Sequence, residues 1–165
     1  MALLVTSLFF YDAIDHIVET YFHNSQRQDA TVVFNDNKTP RSIAEIRTMK
    51  GVIAAEPWRA VAAKLHFGSR HERSAIIGLQ TGSELHRVLD KDLKPVSLPE
   101  HGLVLSTVLA ENLGVGRGDR IRIEALQGKR YTREVAITSL VEEYIGAPAY
   151  MEMTALNRLM GEGDL

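Results

Sequence analysis

No cysteine occurs among the 165 residues, which excludes disulfides, thiolate metal sites and a cysteine nucleophile together. An excess of one charge is missing too. The formal net charge is −2 with both signs interspersed, so the sequence gives no reason to expect attraction to nucleic acid or to an anionic membrane. There is no basic run, no RNA- or DNA-reading motif, no internal repeat and no low-complexity segment. Long apolar runs are also lacking. Met1-Ala-Leu-Leu-Val-Thr-Ser-Leu-Phe-Phe-Tyr11 is almost wholly apolar, with the first charge at Asp12, but a spanning helix needs ~20 such residues. No basic segment precedes this run and no small-x-small site ends it, so it is a poor signal peptide. Two readings stand: a buried helix start, or the outer end of a transmembrane helix.

What is present is the composition of an ordinary globular protein, 45% apolar and 24% charged, enough for one domain or two small lobes. Apolar residues recur at helical spacing from about Leu8 to Gln28. Thr31-Val-Val-Phe34 reads as a strand, and Thr39 before Pro40 as the cap of a helix that buries Ile43 and Ile46 and stops by Gly51. Val52 to Phe67 reads as a strand broken near Pro57, followed by a turn and a second strand from Ser74 to Leu79. A helix is expected around Ser83 to Leu89, and Pro95 and Pro99 bracket a loop. The clearest stretch follows. Gly102 to Leu105 is a buried strand, Ser106 caps a helix through Leu109, Ala110 and Leu113, and Gly114 ends it. Gly118 and Asp119 turn the chain into an alternating strand, Arg120 to Leu126, whose hairpin partner runs from Arg130 to Val141. Tyr150 and Met151 close a strand, and Thr154 caps a last helix through Leu159. Strand, helix and antiparallel hairpin make an α+β signature, not a repeated parallel βαβ unit.

Catalytic and ligand chemistry finds no support. His66 and His71 flank a hairpin turn, and His16 and His23 lie seven apart with no third ligand at metal spacing. Gly114 to Gly118 follows a helix and precedes a strand, the reverse of a phosphate loop. Glu142 and Glu143 are adjacent, so on a strand they point to opposite faces and cannot act as an acid–base pair. Helix capping accounts for Ser106 without a catalytic role. No enzyme activity, cofactor or metal is expected.

The segment Gly102-Leu-Val-Leu-Ser-Thr-Val-Leu-Ala-Glu-Asn-Leu-Gly-Val-Gly-Arg-Gly-Asp119 resembles the FtsX-like permease family, the membrane subunits of MacB-type ABC transporters. The resemblance extends to Val135-Ala-Ile-Thr-Ser-Leu-Val141, to Ala149 through Met160, and upstream to Gly51-Val-Ile-Ala-Ala-Glu-Pro-Trp-Arg59 and Ile76-Ile-Gly-Leu79. Its motif residues are structural ones: Gly102, Ser106, Leu109, Ala110, Gly114, Gly118, Asp119 and Tyr150.

The resemblance implies a MacB-like periplasmic core domain with a mixed α+β lobe and a smaller β-rich lobe. By analogy residues 29–79 with 147–165 form the first lobe and 80–146 the second. Residues 1–28 become the outer end of transmembrane helix 1 and a stalk. It also implies a domain on the extracytoplasmic side of the cytoplasmic membrane that relays ATPase-driven motion to a partner protein or substrate. The implied partners are a cytoplasmic ABC ATPase subunit, a periplasmic adaptor or lipoprotein, and a second copy in a homodimer. Family ectodomains usually continue beyond this stretch, so a fragment with an open sheet edge is expected. Two rivals stand beside this reading: a freestanding extracytoplasmic module binding a lipid or peptide, and a hydrolase of unrecognised type.

Overall fold

A computed structural model describes residues 18, 24–34, 40–143 and 146–162. Its order is α1 (Pro40–Arg47), β1 (Trp58–Phe67), β2 (Arg70–Leu79), β3 (Leu103–Ser106), α2 (Thr107–Leu113), β4 (Arg120–Ala125), β5 (Thr132–Val141), β6 (Ala149–Glu152) and α3 (Met153–Leu159). The fold is α+β. Its centre is a closed barrel in the order β1-β2-β6-β3-β5-β4, with β4 returning to pair with β1. The β2–β6 and β3–β5 contacts are parallel and the others antiparallel.

Closure follows from alternation along the strands. Val61, Ala63 and Leu65 of β1, Ile121, Ile123 and Ala125 of β4, and Ala149 and Met151 of β6 are all buried in one cluster. Leu103, Leu105, Ile76 and Ile137 fill the space between them. Side chains at every second position reach the same face, so these strands share one dry interior. Burying each Leu or Ile side chain there contributes about 1.5–3 kcal/mol before chain entropy is set against it.

The antiparallel strands β3 and β6 end at opposite ends of the barrel, and each runs directly into a helix. Leu109, Ala110 and Leu113 of α2 join the interior cluster, as do Leu156 and Leu159 of α3. Gly78 makes room for the second of these helices. A Cβ there would stand 2.6 Å from Leu156 Cδ2.

A smaller core lies outside the barrel. Leu79, Val104, Val141 and Tyr150 point outward and are covered by Val88 and Leu98, with Ile77 and Val96 at the margin. The covering segment has little regular structure. Its shape comes from a bridge between Leu89 and Pro95 and from the Asp90 carboxylate, which accepts from the N–H groups of Asp92 and Lys94 at 2.9 Å each.

The ranges expected for two lobes, 29–79 with 147–165 and 80–146, both contribute strands to this barrel, and these meet along the β1–β4 and β3–β6 ladders. Several other expectations are corrected. The expected open sheet edge is replaced by closure, which leaves no edge in the barrel. Thr31 to Phe34 is not a strand. It lies exposed, with Val33 79% accessible, and no described strand is paired with it. Ser83 to Leu89 is not a helix. Gln26 pairs with His86 instead, and this bridge also replaces the end of the helix expected through Gln28. Residues 52–57 precede β1 without joining it. The last helix is capped by the Glu152 carboxylate, which accepts from Ala155 N–H at 3.0 Å, and not by Thr154. The apolar start, the histidines at 16 and 23, and the cap expected at Thr39 lie outside the described residues.

Candidate functional site

The motif residues cluster at the junction where β3 becomes α2 and returns into β4. Ser106, fully buried and extended at φ −65° and ψ 146°, accepts from Leu109 N–H through Oγ at 3.4 Å. Gly114 closes the helix in the left-handed conformation at φ 71°, where glycine carries no Cβ penalty. Asp119 then holds the turn, its Oδ2 accepting from Gly116 N–H at 2.8 Å, and Gly118 N–H donates to Ile137 O at 2.8 Å. Gly102 has φ 95°, and a Cβ there would lie 2.4 Å from Thr138 Cγ2 and 3.0 Å from Ala136 O. Leu109 and Ala110 are interior packing. These groups serve as caps, turns and interior packing.

Tyr150 stands apart from that junction, on the outside of β6. Its hydroxyl donates to Glu143 Oε1, and its ring meets His86 edge-on with centroids 6.3 Å apart. His86 meets Trp58 in the same manner at 6.1 Å. Burial pushes the His86 imidazole below the ordinary histidine range. Burial likewise pushes the Glu143 carboxyl up, a shift that the Tyr150 hydrogen bond partly offsets. The cluster ties β1, β6, the covering segment and the end of β5 together. Local sequence signals could not assemble it, since its members are separated by up to 92 positions in the chain.

The second surface is the outer face of β2, β1, β4 and β5 near the β1–β2 hairpin. His66 and His71 are direct cross-strand partners there, with ring centroids 5.9 Å apart. His66 Nε2 lies 3.2 Å from Glu124 Oε2, so the imidazole is engaged with a carboxylate. An open cleft of ≈ 310 Å³ borders this face, lined by His66, Phe67, Gly68, Arg120, Arg122 and Glu134. Among the described residues no three His, Asp or Glu side chains are placed to hold a metal ion. Nor is any described helix long and apolar enough to cross a membrane.

No protein-family model matches the chain. No curated protein matches it either. Among solved structures, the chain is similar to the extracellular domain of the noncanonic ABC-type transporter YknZ from Gram-positive bacteria. The TM-score is 0.50 at 15% identity, over 77% of this chain and 68% of the other. At that identity the likeness is one of fold.

Proposed function

We propose that the chain is the extracytoplasmic domain of an ABC transporter permease subunit, which relays motion of the membrane helices to a partner protein. The observation that carries this reading is the fold shared with the YknZ extracellular domain over 77% of the chain. The motif from Gly102 to Asp119 supports it from the sequence side.

A relay has to move as a body and not deform. The closed barrel meets that demand, because its strands have no free edge, its interior is filled, and helices pack into it from opposite ends. The energy source in this reading is a cytoplasmic ATPase subunit, and the receiving protein is an adaptor or lipoprotein outside the membrane.

Absence of cysteine in this chain provides a direct test of sidedness. Ser69 sits exposed at the β1–β2 turn. Introduced into the full-length gene product, Ser69→Cys is expected to react with a membrane-impermeant maleimide on intact cells, with the unsubstituted protein as blank. Labelling that appears only after lysis would overturn the reading.

A further inference from the structure

The outer face of β2, β1 and β4 carries charges that its own described residues leave unpaired. Two cross-strand rows traverse it. In one, Arg73 faces Lys64 and Lys64 faces Glu124; in the next, His71 faces His66 and His66 faces Arg122. Lys64 and Arg73 are thus like charges standing directly opposite, an arrangement that destabilises a strand pair.

Glu124 is the register partner of Lys64, yet its carboxylate is turned to His66. The nearby Glu134 is opposite Arg122 in register but lies 4.0 Å from Arg120. Among the described residues, Lys64, Arg73 and Arg122 have no carboxylate within ion-pair distance. A chain with net charge −2 therefore gathers three uncompensated cations on one rigid sheet face.

We propose that this face docks an acidic segment of a partner protein, whose carboxylates settle between Lys64, Arg73 and Arg122. Adjacent rows on a strand are two residues, or about 7 Å, apart. An extended segment with Asp or Glu at alternate positions has the same repeat and can address both rows. Spaced protein carboxylates fit this face better than a lipid surface does. Glu124 and Glu134 interrupt its positive field, whereas an anionic bilayer presents charge continuously. The face also lacks an apolar anchor: the exposed large apolar residue on these strands, Trp58, is at the far end of β1 against His86. The site stands on these charges, and the assignment of its occupant as a protein rests on the relay function proposed above.

Calorimetric titration of the protein with an alternating Glu-Ser octapeptide tests the proposal. A Gln-Ser octapeptide and phosphatidylcholine–phosphatidylglycerol vesicles (about 70:30) serve as the other arms. The acidic peptide is expected to bind, and to bind more weakly as salt is raised, while the neutral peptide and the vesicles do not. Lys64→Gln with Arg73→Gln is expected to weaken binding about tenfold. The same change at Lys91 and Lys94, on the covering segment, leaves it unaltered. The double variant at the face also loses the like-charge opposition, so its thermal midpoint is expected to be no lower than that of the parent. Absent peptide binding, equal weakening by the Lys91/Lys94 variant, binding to vesicles alone, or a lowered midpoint each overturns the proposal. None of these outcomes depends on sidedness, so failure here is separable from failure of the labelling test.

Discussion

His86 is 9% exposed, and two aromatic rings flank an imidazole that has little access to water. Burial disfavours the charged ring, so the folded protein takes up a proton at this position at lower pH than the unfolded chain does. Above the ordinary histidine value of about 6.5 both states are neutral and the group has no effect on stability. As pH falls below that value the unfolded chain binds protons first, and stability declines until the folded imidazole protonates too. Glu143 has the opposite sign. Its folded carboxyl holds its proton longer than the unfolded one, so its contribution falls as pH rises through the window between the two. Comparing wild type with a variant at a single position separates these effects. His86→Phe keeps an edge-on ring between Trp58 and Tyr150 while removing the titration. Urea midpoints measured at pH 7.5 and about 5 are expected to fall less in this variant than in wild type. Equal falls would assign the acid sensitivity to another group.

At the scale of elements, the covering segment is held by one carboxylate from outside it. Glu56 accepts from Ser83 Oγ at 2.5 Å, from Glu84 N–H at 3.0 and 3.1 Å, and from Leu85 N–H at 3.0 Å. Those amides are the ones a helix from Ser83 would have left unsatisfied at its first turn. The carboxylate arriving from 27 residues upstream supplies their acceptor without requiring the helix to continue. Glu56→Ala is expected to cost about 1–2 kcal/mol and to abolish hydrogen-exchange protection at Glu84 and Leu85. Amides in β4 and β5 are expected to keep theirs, and equal loss throughout would mean that the segment and barrel open as one.

The same contrast separates the elements legible in the sequence from those that were not. Ser106 and Gly114 mark α2 through capping chemistry contained within nine residues, and β4 announces itself by the alternation of Arg120, Ile121, Arg122 and Ile123. Parallel pairing of β2 with β6 joins Ile76 to Ala149, a contact for which neither segment carries a local signal. Thr31 to Phe34 had the residue types of a strand but is in register with no described strand. The basic face was likewise invisible: Lys64, Arg73 and Arg122 are dispersed among opposite charges until the register aligns them.

For the whole molecule, closure decides how it comes apart. β1 belongs to the first range expected for a lobe and β4 to the second, yet Leu65 and Ile123 are register partners inside one core. Independent lobes would unfold in separate steps. A shared barrel cannot lose β4 without exposing β1, so its unfolding is expected to be cooperative. Trp58 is the sole tryptophan and starts β1 beside His86 of the covering segment, so fluorescence reports on that end of β1. Circular dichroism reports strands from both ranges. In urea the two signals are expected to trace the same transition. Ile123→Ala deletes buried methyl and methylene groups from β4 and is expected to cost about 2–5 kcal/mol. The informative quantity is where that cost appears. If the barrel is one unit, the Trp58 transition moves by as much as the dichroism transition, although the substitution lies in the other range. If Trp58 reports an unshifted midpoint, β1 and β2 unfold apart from β4, and a body that yields at that seam is a poor relay for force entering from the membrane.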